Sequence, residues 1–206
     1  MYKRVIFILS FLLIVTVSLI TVGGVLFIRE KELSQKLRVI NEQAIDEKDD
    51  YMLQQQYRHL ELALNGTEID KTIVLSDEKG NLLKVSDILN TTKLVLFFSE
   101  SNCSECVNVE ISNLRGMDSI IDFNDVLIMV KSISKRYVNQ YRIINKLEYP
   151  IYEIKESPEG LFPEFTPLFF IIEKETFRIN SVFAPSKYNI DLTTSYFKKI
   201  EKKYFH

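Results

Sequence analysis

From residue 66 onward, the chain alternates between continuous apolar runs and segments whose apolar residues recur at helical spacing. Two runs, Leu94–Phe98 and Val126–Val130, predict strands of a parallel sheet that is covered on both faces. Three further strands are predicted, over Pro150–Ile154, Leu168–Ile172 and Phe177–Phe183. The last two are separated by the turn at 173–176, so we expect them to pair antiparallel.

Predicted helices lie between and after these strands. They cover Val107–Met117, Ser134–Leu147 and a last segment capped by Asp191, with one apolar stripe formed by Leu192, Tyr196, Ile200 and Tyr204. Upstream, Ile73–Leu75 and Leu82–Val85 predict a hairpin around Gly80, and residues 86–89 a short helix. The order βαβ followed by ββα predicts one α/β domain over residues 66–206, with a mixed sheet between helices.

The N-terminal pattern is different, because Val5–Ile28 is an uncharged apolar run. As a helix this run would be about 36 Å long at about 1.5 Å per residue, enough to cross a hydrocarbon core of about 30 Å. A cleaved signal peptide is the alternative, but its apolar region is shorter and ends at a small-residue cleavage site. The run contains no cysteine for lipid attachment. The sequence therefore predicts a transmembrane signal anchor within residues 1–28.

The charges around this run give two opposing indications of its orientation. Lys3 and Arg4 precede it, whereas four basic residues follow it closely, namely Arg29, Lys31, Lys36 and Arg38. Counted over short flanks, this asymmetry favours a cytoplasmic C-terminal side. However, a single span behind a very short basic tail usually exports the domain downstream of it, and long domains cross largely regardless of charge. We expect a single-pass protein with its domain outside the cytoplasm, periplasmic or extracellular.

Residues 29–65 predict a charged helical stalk without proline or glycine before Gly66. Its apolar residues recur at spacings of four and three in two stripes: Leu33, Leu37, Ile40 and Ala44, then Leu53, Tyr57, Leu60 and Leu64. A dimeric coiled coil is one interpretation. A helix that packs back onto the domain or stands in solvent is the other. His59 lies in this segment and is expected to be a solvated surface residue.

Composition and charge exclude several classes of function. With a net charge of −2 and no basic patch interleaved with aromatic residues, the chain does not resemble a nucleic-acid-binding protein. It has no glycine-rich phosphate loop and no Ser/His/Asp set. Asn65-Gly66-Thr67 and Asn90-Thr91-Thr92 fit the glycosylation pattern, but tripeptides of this kind arise often by chance.

The candidate chemistry lies in Cys103-Ser104-Glu105-Cys106, which contains the only two cysteines of the chain. The pair follows a predicted strand and a short polar turn, so Cys103 is expected at a helix N-terminus. Free N–H groups and the helix dipole stabilise a thiolate there. Cys106 lies one turn further, on the same face. This geometry predicts reversible dithiol–disulfide exchange in which an exposed Cys103 attacks and a shielded Cys106 resolves.

Two other roles for the cysteines have less support. A structural zinc site needs four ligands, and the only histidines, His59 and His206, lack ligand spacing to the pair. A purely structural disulfide would close a very small loop and would therefore constrain the unfolded chain little. We expect neither a metal nor a cofactor.

Glu105 in the first helical turn and Phe97 before the turn both disfavour a thiolate, which predicts a low reduction potential.

Downstream, Thr166-Pro167 opens the apolar run Leu168–Ile172, a position at which proline is tolerated. With the strand–CxxC–helix segment, this makes residues 67–205 resemble the thioredoxin superfamily, most closely the membrane-anchored thioredoxin-like oxidoreductases of the bacterial envelope. The resemblance implies a thioredoxin-like fold, with a central mixed sheet flanked by helices. It also implies that Cys103 is the nucleophile, that Cys106 is the resolving cysteine, and that Thr166-Pro167 is the cis-proline pair facing them.

The sequence departs from the family pattern at three positions. Asn102 stands where family members usually carry tryptophan, and the chain has no tryptophan. Phe97 stands where thioredoxin has a buried acidic residue. Envelope relatives often place a glutamate soon after the second cysteine, and Glu110 lies one residue later than that position. These departures concern efficiency and reduction potential more than the fold.

The sequence therefore predicts a membrane-anchored thiol–disulfide oxidoreductase that reduces disulfides of envelope proteins. A thiol electron donor would restore the dithiol, and the loop Phe162–Pro167 would form the second wall of the docking groove. The main alternative is a non-enzymatic, membrane-anchored interaction module that has the same fold. A thiol peroxidase is less well supported, because residues 99–102 lack the sequence expected before a peroxidatic cysteine. A copper chaperone would need a wider cysteine pair and a histidine, and the chain has neither at this site.

Overall fold

The computed structural model describes residues 24, 29–41, 51–117, 120–132, 135–156, 161–162, 166–185 and 190–205. The chain divides into two compact units, Met1–Leu53 and Gln54–His206. The predicted span Val5–Ile28 lies outside the described residues except for Gly24. Within the described part of the chain, no helix combines the length and the apolar character needed to cross a membrane.

In the first unit, residues 29–41 and 51–53 are helical, as their periodicity predicts. Leu33, Leu37 and Ile40, which form one stripe of the predicted stalk, are exposed. Ala44 of the same stripe lies outside the described residues. A dimer formed through this stripe remains a prediction.

The second unit is built on one seven-stranded mixed sheet with the strand order β2-β1-β5-β4-β3-β6-β7. Strands β3, β4 and β5 run parallel, and the other neighbours pair antiparallel. The strands are β1 (Val74–Ser76), β2 (Leu82–Lys84), β3 (Lys93–Ser99), β4 (Val126–Lys131), β5 (Ile151–Glu156), β6 (Leu168–Ile172) and β7 (Ile179–Phe183). The predicted parallel core and both antiparallel pairs are confirmed.

Helices cover the two faces of this sheet and so form three layers. Residues 54–64 form helix α1 of this unit, and the other helices are α2 (Val85–Ile88), α3 (Ser104–Arg115), α4 (Lys135–Ile144) and α5 (Ile190–Tyr204). Alternate residues of β3 point to opposite faces. Leu94, Leu96 and Phe98 pack with α3, α4 and α5. Val95 and Phe97 pack with residues of α1 and α2 on the other face.

Helix α1 packs against the sheet rather than standing apart from it. Leu64 is buried, and Tyr57 and Leu60 pack on the same cluster. The Glu61 carboxylate accepts a hydrogen bond from the Ala184 backbone N–H at 3.0 Å. The helix ends at the predicted stop, where Gly66 has a φ of 85°. The C-terminal part of the predicted stalk therefore belongs to the compact unit that contains the sheet.

The segment after α1 covers the outer edge of β7. The N–H of Gly66 donates to the Ile179 carbonyl at 2.7 Å, and the N–H of Ile179 donates to the Thr67 carbonyl at 2.8 Å. Glu68 forms an isolated antiparallel bridge with Arg178. Part of the edge strand is thereby paired within the chain.

Several predicted boundaries shift for local reasons. Strand β7 starts at Ile179 rather than Phe177, because Phe177 adopts a φ of 55° in the turn. Helix α4 ends at Ile144, since Lys146 has a φ of 47°. Helix α5 already includes Ile190, so Asp191 lies in its first turn and is not its cap.

The predicted stripe on α5 is also only partly correct. Leu192 is exposed, whereas Thr193, Phe197 and Ile200 are buried. Phe197 packs edge-on against Phe169 of β6, with ring centroids 5.0 Å apart. The buried face of α5 thus keeps Ile200 of the predicted stripe, and Tyr196 and Tyr204 also pack on the core, but Thr193 and Phe197 lie on that face in place of Leu192.

The amino end of β3 holds a buried lysine. The Lys93 side chain is 7% exposed, and its ammonium donates to the Asn124 carbonyl and lies 3.8 Å from an Asp125 carboxylate oxygen. The Thr91 hydroxyl donates to the same carboxylate at 2.6 Å. Burial lowers the pKa of Lys93, while Asp125 and Asp122 oppose this effect. The charge is thus balanced locally.

Candidate redox site

The two cysteines lie at the carboxyl end of β3, where the chain turns into α3. Cys103 is the N-cap residue of α3, and its Sγ accepts a hydrogen bond from the Cys106 N–H at 3.2 Å. The two cysteines form a disulfide with a Cα–Cα distance of 5.2 Å, within the ordinary range for such bonds. The predicted helix-terminal position of Cys103 is confirmed. Helix α3 begins at Ser104 rather than Val107 because Cys103 caps it.

The two sulfur-bearing residues differ in accessibility. Cys103 is exposed, as are Ser104 and Glu105, whereas Cys106 is half-buried. An attacking thiol must reach a partner, while a resolving thiol needs to reach only Cys103. This order of exposure suits an attack by Cys103 followed by resolution by Cys106.

The turn between β3 and α3 is closed by Asn102, which is buried. Its side-chain Oδ1 accepts from the Ser99 N–H at 2.7 Å, and its own N–H donates to the Ser99 carbonyl at 3.1 Å. Sequence reasoning noted Asn102 only as a departure from tryptophan. The available signal was its residue type, since asparagine side chains accept from nearby backbone N–H groups in turns.

The turn is also tied to the end of β4. The Glu100 N–H donates to the Lys131 carbonyl at 2.9 Å, which continues the β3–β4 pairing by one residue. The Glu100 carboxylate accepts from the Ser132 hydroxyl at 2.9 Å. The segment preceding Cys103 is therefore bonded to the end of β4 through Glu100 and to the end of β3 through Asn102.

The two predicted supporting glutamates occupy different environments on α3. Glu105 is exposed in the first turn. Glu110 is buried, and burial raises the pKa of its carboxyl, while the amide of Asn113, donating at 3.0 Å, opposes the rise. Because Glu110 follows Cys106 by four residues, both side chains lie on one helix face about 5–6 Å apart at Cβ.

Phe97 does not lie beneath the cysteines. Its ring stacks on Phe162 at a centroid distance of 4.7 Å, on the face of the sheet opposite α3. Phe98 faces α3 instead, and its ring lies 5.2 Å from that of Tyr141. The expected desolvation of the thiolate by Phe97 is wrong, because strand alternation turns that side chain away.

The structure places Thr166 and Pro167 at the same end of the central strands as the cysteines. Phe97 pairs with Leu168 in the antiparallel β3–β6 ladder. Continuing this register sets Pro167 beside Phe98 and Thr166 beside Ser99. Ser99 begins the turn that leads to Cys103. Both residues are buried, and the Thr166 hydroxyl donates to the Pro167 carbonyl at 3.2 Å.

The expected cis bond between Thr166 and Pro167 is wrong, because no described peptide bond is cis. The expectation came from the family resemblance alone, and the trans isomer is favoured by about 0.5–1 kcal/mol before proline. Of the predicted groove wall Phe162–Pro167, residues 163–165 lie outside the described residues. Among the residues that the structure does describe, no group of three or more His, Cys, Asp or Glu side chains is arranged to hold a metal.

No protein-family model and no curated protein matches the chain. Matching solved structures include a thiol:disulfide interchange protein from Bacteroides sp., with 18% identity, a TM-score of 0.47, and 65% of this chain and 88% of that chain covered. The thioredoxin domain of a thiol-disulfide oxidoreductase from Bacteroides vulgatus matches with 12% identity, a TM-score of 0.48, and 66% and 99% covered. A peroxidoxin from Mycobacterium tuberculosis matches with 14% identity, a TM-score of 0.47, and 66% and 97% covered. Similarity at this level assigns neither a family nor an activity.

Proposed function

We propose that this protein is a thiol–disulfide oxidoreductase of the thioredoxin superfamily that reduces disulfides in other proteins. One observation carries the proposal: Cys103 caps α3, is exposed, and is joined to Cys106 in a disulfide. A helix N-terminus stabilises a thiolate at this position. The order β3-α3-β4 followed by β6-β7-α5 supports the same fold assignment.

The reaction begins from the reduced dithiol. The Cys103 thiolate attacks one sulfur of a substrate disulfide, a mixed disulfide forms, and the displaced substrate thiolate takes up a proton. The Cys106 thiolate then attacks Cys103 Sγ, which releases the second substrate thiolate and forms the Cys103–Cys106 disulfide. Two electrons have passed to the substrate, and a thiol electron donor restores the dithiol by the reverse exchange.

The glutamates of α3 have separate roles in this proposal. Glu105 places a negative charge near Cys103, which disfavours the thiolate and makes the couple more reducing. Glu110 accepts the proton that Cys106 must lose before it attacks. A water molecule would carry this proton between Cys106 and Glu110, since residues four apart on a helix have Cβ atoms roughly 5–6 Å apart. Thr166 and Pro167 would border the groove that receives the substrate.

The location is proposed from the sequence alone. Val5–Ile28 would anchor the chain by one helix, residues 29–65 would form the stalk, and the domain would face the periplasm or the exterior. The substrate and the thiol donor would then be proteins of the envelope. A compartment-sensitive reporter fused after His206 should be active only outside the cytoplasm, and cytoplasmic activity would contradict this topology.

Reduction of insulin by dithiothreitol tests the activity. The full chain in detergent should accelerate precipitation of the insulin B chain, and Cys103→Ser should abolish the acceleration. Glu110→Gln should lengthen the lifetime of the mixed disulfide without preventing its formation. A wild-type chain that neither accelerates insulin reduction nor equilibrates with glutathione would support the alternative, a non-enzymatic interaction module.

A further inference from the structure

The residue immediately before Cys103 makes more defined contacts than its position in a surface turn would require. Asn102 is 7% exposed between the exposed residues Ser101 and Cys103. Its side chain and its backbone N–H both bond to Ser99, the last residue of β3. The side-chain bond, at 2.7 Å, satisfies a backbone donor where strand pairing ends.

We infer that Asn102 is a positioning residue that fixes Cys103 at the N-terminus of α3 and thereby shifts the dithiol–disulfide equilibrium toward the dithiol. The inference rests on the proposed function. Asn102 does not touch the sulfur in this role. It acts through the backbone, because closing the Ser99–Asn102 turn sets where Cys103 enters the helix.

The contacts on either side of Asn102 explain how it would act. Upstream, Ser99 is held in the sheet by its place in β3, and Glu100 is bonded to Lys131. Downstream, Cys103 Sγ accepts the Cys106 N–H at 3.2 Å. Asn102 is the link between these two fixed points. If the link loosens, the sheet no longer determines the distance between Cys103 Sγ and the N–H groups of α3.

The charged form of Cys103 is affected most by such loosening. A hydrogen bond to an anion is roughly twice as strong as one between neutral groups and depends strongly on geometry. In the disulfide, the Cys103 sulfur is neutral and covalently held near Cys106. Loss of the turn therefore weakens the reduced form more than the oxidised form. The Cys103 thiol pKa should rise, and the couple should become more reducing.

Two measurements on the full chain in detergent test the inference. One is the equilibrium constant with glutathione, and the other is the pH dependence of Cys103 alkylation by iodoacetamide. Asn102→Ala should shift the equilibrium toward the disulfide by about tenfold, which is about 30 mV for a two-electron couple. The apparent pKa of alkylation should rise in the same variant. Asn102→Ser should recover part of both shifts, because a serine hydroxyl makes the same turn bond more weakly.

Matched controls separate positioning from general stability. Val126→Ala removes a buried group at the opposite end of the sheet and should lower the melting temperature without moving the equilibrium or the alkylation pKa. Ser101→Ala removes a side-chain contact with Ser99, at 2.6 Å, but leaves the Asn102 bonds in place, so it should change the equilibrium less than twofold.

The inference is overturned if Asn102→Ala keeps the wild-type equilibrium and alkylation pKa, or if Val126→Ala moves them as far. Should Asn102→Ala fail to fold, Asn102→Ser decides, and wild-type values for that variant also overturn it. A wild-type chain that does not exchange with glutathione refutes the proposed function instead. The alkylation measurement then still tests the role of Asn102.

Discussion

Strand β3 has a buried polar side chain at or next to each of its ends, but one is charged and the other is neutral. Each end has a buried polar residue, Lys93 at the amino end and Asn102 just beyond the carboxyl end. At the amino end a charge is matched by Asp125 and the Asn124 carbonyl. At the carboxyl end a neutral amide closes a turn, and the neighbouring residue, Cys103, is exposed.

This difference separates stability from reactivity along a single strand. Because the Lys93 charge is already paired within the domain, we expect the amino end to contribute to the stability of the fold and not to the exchange reaction. At the carboxyl end the hydrogen bonds of Asn102 go to the backbone of Ser99, and Cys103, the proposed attacking residue, remains exposed. Variants at each end should therefore alter different measured quantities.

The largest expected effect is at the carboxyl end. Cys103→Ser should reduce disulfide exchange to the uncatalysed rate, whereas Cys106→Ser should retain the first step and accumulate mixed disulfides with substrates. The measurement is non-reducing electrophoresis of each variant isolated from cells. Limiting iodoacetamide should label Cys103 first in the reduced wild type, and preferential labelling of Cys106 would reverse the assignment of roles.

At the amino end, Lys93→Met should lower the free energy of unfolding by about 1–3 kcal/mol, because it leaves the Asn124 carbonyl and the Asp125 carboxylate without their cationic partner. Urea denaturation measures this change. The equilibrium with glutathione should stay at the wild-type value. A shift in that equilibrium would show that the two ends of β3 are not independent.

A third variant alters the charge near the reactive sulfur without touching the turn. The wild-type reduction potential should lie nearer the roughly −270 mV of thioredoxin than the roughly −120 mV of a strong oxidant. Glu105→His should make the couple more oxidising, by about 30 mV for a tenfold change, because it replaces a negative charge with a group that can be positive. A histidine variant that is no more oxidising would contradict this electrostatic explanation.

The smallest expected effect is the pH dependence contributed by Glu110. Because burial raises its pKa, the folded chain keeps this proton at pH values where the unfolded chain has lost it. The resulting stabilisation is complete below the unfolded pKa of about 4.3 and is lost as pH rises through the folded pKa. Glu110→Gln should flatten the stability profile over this window in urea titrations at several pH values. An unchanged slope would show that Glu110 is not the responsible group.

The sequence patterns predicted the strands well because most of them are continuous apolar runs. Leu168–Ile172 is observed with the predicted bounds, and β3 and β4 each extend at most one residue beyond theirs at either end. The buried face of α5 was predicted less well, because the apolar pattern favours Leu192, whereas Thr193 is buried together with Phe197, which packs against Phe169 of β6. Such a contact joins distant parts of the chain and has no local signal.

The candidate site was predictable in its position but not in its surroundings. The spacing of the cysteines after an apolar strand located the helix terminus correctly. The face on which Phe97 lies, the absence of a cis bond before Pro167 in the described chain, and the closure of the turn by Asn102 depend on strand register and side-chain packing. Residue types alone do not determine these features.

The covered edge of β7 has a consequence for the protein in a crowded compartment. An exposed edge strand presents unpaired backbone groups that other chains can join, which leads to aggregation. Here the segment after α1 occupies part of this edge, and β2, at the opposite edge, is only three residues long and ends in Lys84. Contacts with other proteins at these edges are therefore less able to grow into continuous intermolecular sheets. The connection between α1 and the sheet thus joins two elements and also leaves fewer unpaired backbone groups on β7 for intermolecular pairing.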